Sequence, residues 1–101
     1  MSINFQIKGN HLEVTEALKV HVTSKLAKIE KVMDKITSIN VILSIDNLDQ
    51  KAEAELRISG DQHSIFAEAT TEDMYKSIDK LEERLLKQVI KYNEILKKHN
   101  G

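Results

Sequence analysis

Two hydrophobic periodicities alternate along the chain. Over residues 3–8 apolar and polar residues alternate one by one, which predicts a half-buried strand. Over 15–36 the apolar residues recur every three or four positions and share about 80° of a helical wheel, which predicts a helix with one apolar face. Thr15 is its expected N-cap, and Glu16 supplies the acidic side chain that a helix dipole favours in the first turn.

Three further strands and a second helix complete the predicted pattern. The strands, again recognised by alternation, cover 39–45, 52–58 and 65–69. A long apolar stripe without proline then predicts a helix over 71–98. Thr70 and Asp73 have the spacing of a capping box, with Thr70 as the N-cap and Asp73 as the third helical residue.

The order β-α-β-β-β-α leads to one fold class. A β-α-β unit crosses over right-handed, so the first two strands should be parallel, whereas tight turns make the later neighbours antiparallel. Each element has one apolar face, and all these faces are buried in an α+β two-layer sandwich with both helices on one face of a four-stranded mixed sheet. At 101 residues, the whole chain, 1–101, is expected to form one domain.

Composition narrows the classes of function. An apolar content of 41% is too high for a disordered chain, and the absence of cysteine excludes disulfides, thiol nucleophiles and cysteine-ligated metals. The first residues lack the apolar segment of a signal peptide, and no run approaches the roughly 18 apolar residues that span a bilayer. We therefore expect a cytoplasmic protein with no membrane partner.

No catalytic or metal site stands out in the sequence. The four histidines are far apart, and no two have the helical spacing of metal ligands. Asp46 and Asp49 are too close for a calcium-binding loop and are typical of a turn. Glu53 and Glu55 project from one open strand face, where no pocket would shift a pKa for acid–base catalysis. The prediction is a protein that is not an enzyme and has no metal or cofactor.

Charge is partitioned between sheet and helices, although the net charge is only −1. Segment 39–70 holds six acids and two bases, whereas the stripe opposite the apolar face of the last helix is basic. The basic residues of that stripe are Lys80, Arg84, Lys87, Lys91 and Lys98. Those of the first helix are His21, Lys25, Lys28, Lys31 and Lys35. Two packed helices with such rows predict a positive ridge for a polyanion, and a merely solvated charged face is the simpler alternative.

Aromatic side chains offer little for base stacking. Only 4% of the residues are aromatic. Tyr75 and Tyr92 fall in or beside the apolar stripe of the last helix, so both are expected to pack in the core rather than to stack on bases.

Several segments resemble one protein family. The sequence E-D-M-Y-K-S-I-D at 72–79 is similar to the D-M-Y-x-A-I-x helix of the ribosome hibernation promoting factors, also called ribosome-associated inhibitors or sigma-54 modulation proteins. E-V-T-E-A-L at 13–18, L-A-K-I-E-K at 26–31 and I-x-F-x-I-x-G at 3–9 agree with the same family. Ser77 stands where alanine is usual.

The resemblance implies a fold and a function. The fold would share the layout of double-stranded-RNA-binding domains. The protein would be bacterial, bind the small ribosomal subunit (16S rRNA) in the channel used by mRNA and tRNA, block translation and promote inactive ribosome dimers in stationary phase or stress. Ribosome modulation factor would act with it indirectly, through the ribosome. The RNA-contacting positions of the family correspond here to Lys25, Lys28, Lys31, Arg84, Lys87 and Lys91. Lys80 is added because it lies on the same stripe.

The length resembles the short form of this family, since neither a second domain nor an extended tail follows. The expectation is a monomer when free. Two other hypotheses stay open at this point. One is a general double-stranded-RNA-binding module, which the topology permits, and the other is a protein–protein adaptor that uses the acidic face of the sheet.

Overall fold

Four strands and two helices follow one another in the predicted order. The computed structural model describes residues 3–33, 35–60 and 64–100, with side chains described up to residue 95. The elements are β1 (Asn4–Asn10), α1 (Glu16–Val32), β2 (Ile36–Asp46), β3 (Asp49–Ile58), β4 (Ser64–Thr71) and α2 (Met74–Asn100). Over the described residues, neither helix is both long and apolar enough to cross a membrane.

The strands form one mixed sheet in the order β1-β2-β3-β4. β1 runs parallel to β2, with Ile7 opposite Val41, and the other two pairs are antiparallel. Val41 lies opposite Ala54, which in turn lies opposite Ala67. Because strand side chains alternate between faces, this register places all four residues on the face that meets the helices. The predicted α+β sandwich is confirmed.

One hydrophobic core lies between the sheet and the two helices, and all six elements contribute to it. Its largest fully buried side chains are Leu26, Ile29, Ile39, Leu43, Leu56, Ile78, Leu81 and Leu85. Removing such a side chain from water stabilises the fold by roughly 1.5–3 kcal/mol. Alanines at 52, 54, 67 and 69 line the sheet beneath α2, so this helix can approach β3 and β4 closely.

The first helix ends earlier than predicted. It stops at Val32, and Met33 is an extended C-cap residue whose N–H donates to the Ile29 carbonyl at 3.1 Å. Ile36 already belongs to β2 and pairs with Ile58. Met33 and Ile36 are both buried, as the apolar stripe required. The spacing of apolar residues is the same for a longer helix and for a helix followed by a strand, so it placed the boundary wrongly.

The second helix begins three residues later than predicted, and Thr70 is not its N-cap. The cap is Asp73, whose carboxylate Oδ1 accepts from the Tyr75 N–H at 2.9 Å and whose carbonyl accepts from the Ser77 N–H. Thr70 is still paired in β4. Thr71 supports the cap, because its hydroxyl accepts from the Asp73 N–H at 3.0 Å.

Ser77 is fully buried at the start of α2, yet its hydroxyl is satisfied. It donates to the Gln50 carbonyl at 2.6 Å and lies 2.7 Å from the hydroxyl oxygen of Thr71. A buried hydroxyl costs little when it is hydrogen-bonded, so serine is tolerated where the resemblance expects alanine. The bonds also tie the first turn of α2 to β3 and β4.

Gly9 allows the chain after β1 to fold back against the strand. A Cβ atom at residue 9 would overlap the Leu12 carbonyl oxygen and lie 2.9 Å from Val14 Cγ2. Because one contact is with backbone, Gly9→Ala should lower the free energy of unfolding by about 1–3 kcal/mol, measured by urea denaturation. Lys8→Ala, at the neighbouring exposed position, should change it by less than about 0.5 kcal/mol. If the two variants are equally stable, segment 12–14 moves away from the new Cβ atom at residue 9 without a cost in free energy.

Candidate nucleic-acid interface

The outward side of α2 carries a row of exposed lysines. Helical geometry sets this side opposite the buried residues Ile78 and Leu85. Lys80, Lys87 and Lys91 are all exposed there, and none of them forms an ion pair with a described side chain. At about 1.5 Å per residue, the row is roughly 16 Å long. Lys98, predicted on the same stripe, lies outside the described side chains.

Arg84 differs from these lysines because it also has a partner in the sheet. Its Nη1 donates to the Glu68 carbonyl at 2.5 Å, and Gln88 donates to the Phe66 carbonyl at 2.7 Å. β4 is an edge strand, and unpaired edge groups are a template for aggregation. Arg84 and Gln88 therefore cover part of this edge. A guanidinium has five N–H donors, so an exposed Arg84 keeps several for another acceptor.

The cations of α1 fall into two groups. Lys25 and Lys28 face α2, where Lys25 Nζ lies 3.4 Å from Asp79 Oδ1 and Lys28 Nζ lies 3.9 Å from Glu82 Oε2. Lys31 is exposed on the outward side and has no ion-pair partner among the described residues. The ridge expected across both helices is thus divided by an acidic line along the seam between them. Helical spacing on each helix alone gave no sign of this pairing.

His21, Tyr75 and Asp79 meet at the same seam. His21 Nε2 lies 2.9 Å from Asp79 Oδ1, and the His21 ring contacts the Tyr75 ring edge-on with centroids 5.0 Å apart. Partial burial raises the pKa of Asp79, but the hydrogen bond with His21 and the charge of Lys25 outweigh it and hold the pKa below its ordinary value. Asp79 is therefore an anion at neutral pH.

The two tyrosines occupy different environments. Tyr92 is partly buried and packs against the core, as expected. Tyr75 is 41% exposed, so the prediction that it packs in the core is wrong. It lies to the side of the apolar stripe, where the neighbouring helix α1 covers only part of its ring. A residue at this angle on α2 is buried or exposed according to how much of it α1 covers, and the sequence of α2 alone does not determine that.

The outer face of the sheet is less acidic than its sequence suggests. Lys51 Nζ lies 3.3 Å from a Glu68 oxygen and 3.8 Å from a Glu53 oxygen, and Arg57 Nε lies 3.5 Å from a Glu55 oxygen. These pairs offset much of the negative charge. A shallow cavity of about 250 Å³ lies on this face, lined by Asn40, Ile42, Glu53, Ala54, Glu55 and Phe66.

No arrangement in the described part of the chain is suited to a metal ion. Groups of three or more histidine, aspartate or glutamate side chains that could hold one do not occur there. Asp46 and Asp49 pair with each other at the ends of β2 and β3, and Asn47 between them has a left-handed φ of 57°. The segment is therefore a tight turn, as predicted.

Known proteins with a similar fold and sequence are ribosome-associated α+β proteins. A family model described as "Sigma 54 modulation protein / S30EA ribosomal protein" matches residues 5–97. The chain belongs to this family, and the resemblance noted at 72–79 is confirmed. A ribosome hibernation promoting factor from Azotobacter vinelandii is 43% identical over 94 residues, covering 93% of this chain and 84% of that protein. The one from Escherichia coli K12 is 37% identical over 97 residues, covering 96% of this chain and 100% of that protein.

Solved structures agree with the fold. A ribosomal subunit interface protein from Coxiella burnetii superposes with a TM-score of 0.84 at 30% identity, covering 91% of this chain and 99% of that one. The N-terminal domain of Thermus thermophilus Protein Y superposes with a TM-score of 0.80 at 27% identity, covering 90% and 99%. The relatives of this chain are thus ribosome hibernation promoting factors and ribosomal subunit interface proteins.

Proposed function

We propose that this protein is a ribosome hibernation factor that binds the small ribosomal subunit in the channel used by mRNA and tRNA. Its family membership supports association with the ribosome. The observation that carries the finer proposal is the row of exposed lysines on α2, at 80, 87 and 91, which have no acidic partner among the described side chains. A cation without an acidic partner contributes more binding free energy on contact with phosphate than a paired one, because no ion pair within the protein has to be broken.

The proposed mechanism is occupation of the channel, without catalysis and without a cofactor. The lysines of α2, Arg84 and the outward Lys31 would contact phosphates of 16S rRNA. Lys25 and Lys28 would contribute more weakly, because Asp79 and Glu82 already neutralise them. A packed two-layer domain seated there leaves no room for mRNA and tRNA, so translation stops. The ribosome lies in the cytoplasm, and so would this protein.

Inactive ribosome dimers would follow from the same binding. A factor that binds only the idle state of the small subunit raises the population of that state by mass action. If idle ribosomes associate in pairs, the population of dimers rises with it. Ribosome modulation factor would join this assembly through the ribosome rather than by touching this chain.

The free protein is proposed to be a monomer. Its exposed large apolar residues are spread over both helices, the sheet and the β2–β3 turn; Val20 lies on α1, Leu48 in that turn and Ile90 on α2.

Of the two other hypotheses, the protein–protein adaptor receives less support. An adaptor that uses the sheet would need an open negative face, whereas Lys51 and Arg57 pair with the carboxylates there. A general double-stranded-RNA module remains compatible with the layout of the fold, and binding measurements distinguish it directly.

The deciding experiment compares three targets for one labelled protein. Purified small subunits, purified large subunits and a 20-base-pair RNA duplex are titrated at the same salt concentration, and binding is followed by fluorescence anisotropy. We expect the small subunit to bind at least roughly 100-fold more tightly than the duplex, since a specific site adds shape and base contacts to the phosphate term. Equal affinity for the duplex would favour the general RNA-binding module. Preference for the large subunit would contradict the proposed channel.

A further inference from the structure

The seam between the helices presents an aromatic ring beside a carboxylate. Tyr75 and Asp79 are one helical turn apart on α2, about 6 Å along the axis, and therefore share one face. Tyr75 is 41% exposed and the Asp79 side chain 48% exposed. His21 of α1 joins them, because its ring contacts Tyr75 and its Nε2 bonds to Asp79.

Only one oxygen of Asp79 is engaged. His21 and Lys25 both converge on Oδ1, at 2.9 and 3.4 Å. No described group donates a hydrogen bond to Oδ2. An ionised carboxylate only accepts hydrogen bonds, and the Asp79 side chain is half exposed, so Oδ2 is open to a donor from outside the chain, either water or a ligand. These two contacts fix the orientation of the carboxylate, and they favour its ionised form.

A phosphate does not fit this position, because an anionic oxygen would repel it. A nucleobase does fit. Unpaired bases are recognised by stacking on aromatic side chains while their edges are hydrogen-bonded, and a carboxylate accepts from the exocyclic amino group of cytosine. Lys76 and Lys80, which directly follow Tyr75 and Asp79 along α2 and are exposed, would hold the adjoining phosphates.

We propose that Tyr75, His21 and Asp79 form a recognition site for an unpaired nucleobase that carries an exocyclic amino group. The base would stack on the exposed part of Tyr75 and donate its amino hydrogen to Asp79 Oδ2. His21 would act as a positioning residue that holds Asp79 and the tyrosine ring. The inference rests on the proposed function in that RNA is the ligand, and it adds which part of the RNA is recognised.

Two oligonucleotides of equal charge test the site. Cytidine and uridine hexamers differ at C4 of each base, which carries an amino group in one and a carbonyl oxygen in the other. Titration of the intact protein, followed by fluorescence anisotropy at neutral pH, should give about fivefold tighter binding of the cytidine hexamer. Asp79→Asn should bring the ratio to about one, because an amide can present either a donor or an acceptor. Tyr75→Ala should weaken both hexamers by roughly tenfold.

The matched control is Glu83→Gln, which removes the same charge from an exposed position on α2. It should tighten both hexamers slightly and keep their ratio. The site is refuted if the wild type binds the two hexamers equally, if neither binds at millimolar concentration, or if Asp79→Asn keeps the ratio while binding both more tightly. The last result would mean that Asp79 only neutralises its neighbours. Co-sedimentation of the wild type with small subunits is scored separately, so failure of this site is distinguishable from failure of the proposed function.

Discussion

Replacing Lys87 and Lys91 with glutamate should weaken binding to small ribosomal subunits on the order of 100-fold at low salt. Both side chains are exposed on the outward face of α2 and have no described acidic partner, so no ion pair with a described side chain is lost. Two attractive contacts with phosphate become two repulsive ones. Circular dichroism should show an intact fold, since surface substitutions usually change stability by less than about 0.5 kcal/mol.

The control for this variant makes the same change of charge elsewhere. Lys8 lies on the outer side of β1 and Lys19 on the flank of α1 away from α2, and both are exposed without a described ion-pair partner. Lys8→Glu combined with Lys19→Glu should leave co-sedimentation with small subunits nearly unchanged. If both double variants lose binding equally, net charge rather than the face of α2 governs the interaction.

Arg84 is left out of the charge reversal because it has a second role. Its hydrogen bond to the Glu68 carbonyl covers the edge of β4, and a glutamate there would lose that bond and face a carbonyl oxygen. A loss of binding in an Arg84 variant would therefore have two explanations. The exposed lysines allow the effect of charge to be measured alone.

Salt should weaken the same interaction strongly. Five of the cations proposed to contact phosphates are exposed and form no ion pair with a described side chain: Lys31, Lys80, Arg84, Lys87 and Lys91. Each displaced counterion adds to the slope of affinity against salt concentration, so about five contacts predict a loss of roughly two to three decades in affinity between about 50 and 200 mM salt. The measurement is an anisotropy titration of small subunits at several salt concentrations, with magnesium held constant so that the subunits stay intact.

The charge-reversal variants refine the salt experiment. The Lys87 and Lys91 double variant should show a slope reduced by about two, one for each lost phosphate contact, whereas the Lys8 and Lys19 control should keep the full slope. A flat salt dependence of the wild type would argue against phosphate contacts. It would instead favour a protein–protein interface, such as the adaptor hypothesis for the outer sheet face.

Much of the fold could be predicted from the local spacing of apolar residues. The order of elements, the parallel first pair and the face of each element that is buried follow from periodicities within a dozen residues and from the handedness of a β-α-β crossover. The wrongly predicted helix boundaries lie where one sequence pattern is compatible with two different local structures. Met33 and Ile36 fit both a longer helix and the start of β2, and Thr70 has the residue type of a cap although it is still paired in β4.

The candidate site could be predicted from the sequence only in part. The sequence by itself determined which cations α2 exposes, because the direction of a side chain on one helix depends only on its position relative to the apolar stripe. Tertiary structure alone decided which cations remain unpaired. His21 and Asp79 are 58 residues apart, and Arg84 and Glu68 belong to different elements. Such contacts depend on how two surfaces pack, and the periodicity of neither element carries that information. The acidic line between the helices, the covered edge of β4 and the exposed ring of Tyr75 all arise in this way.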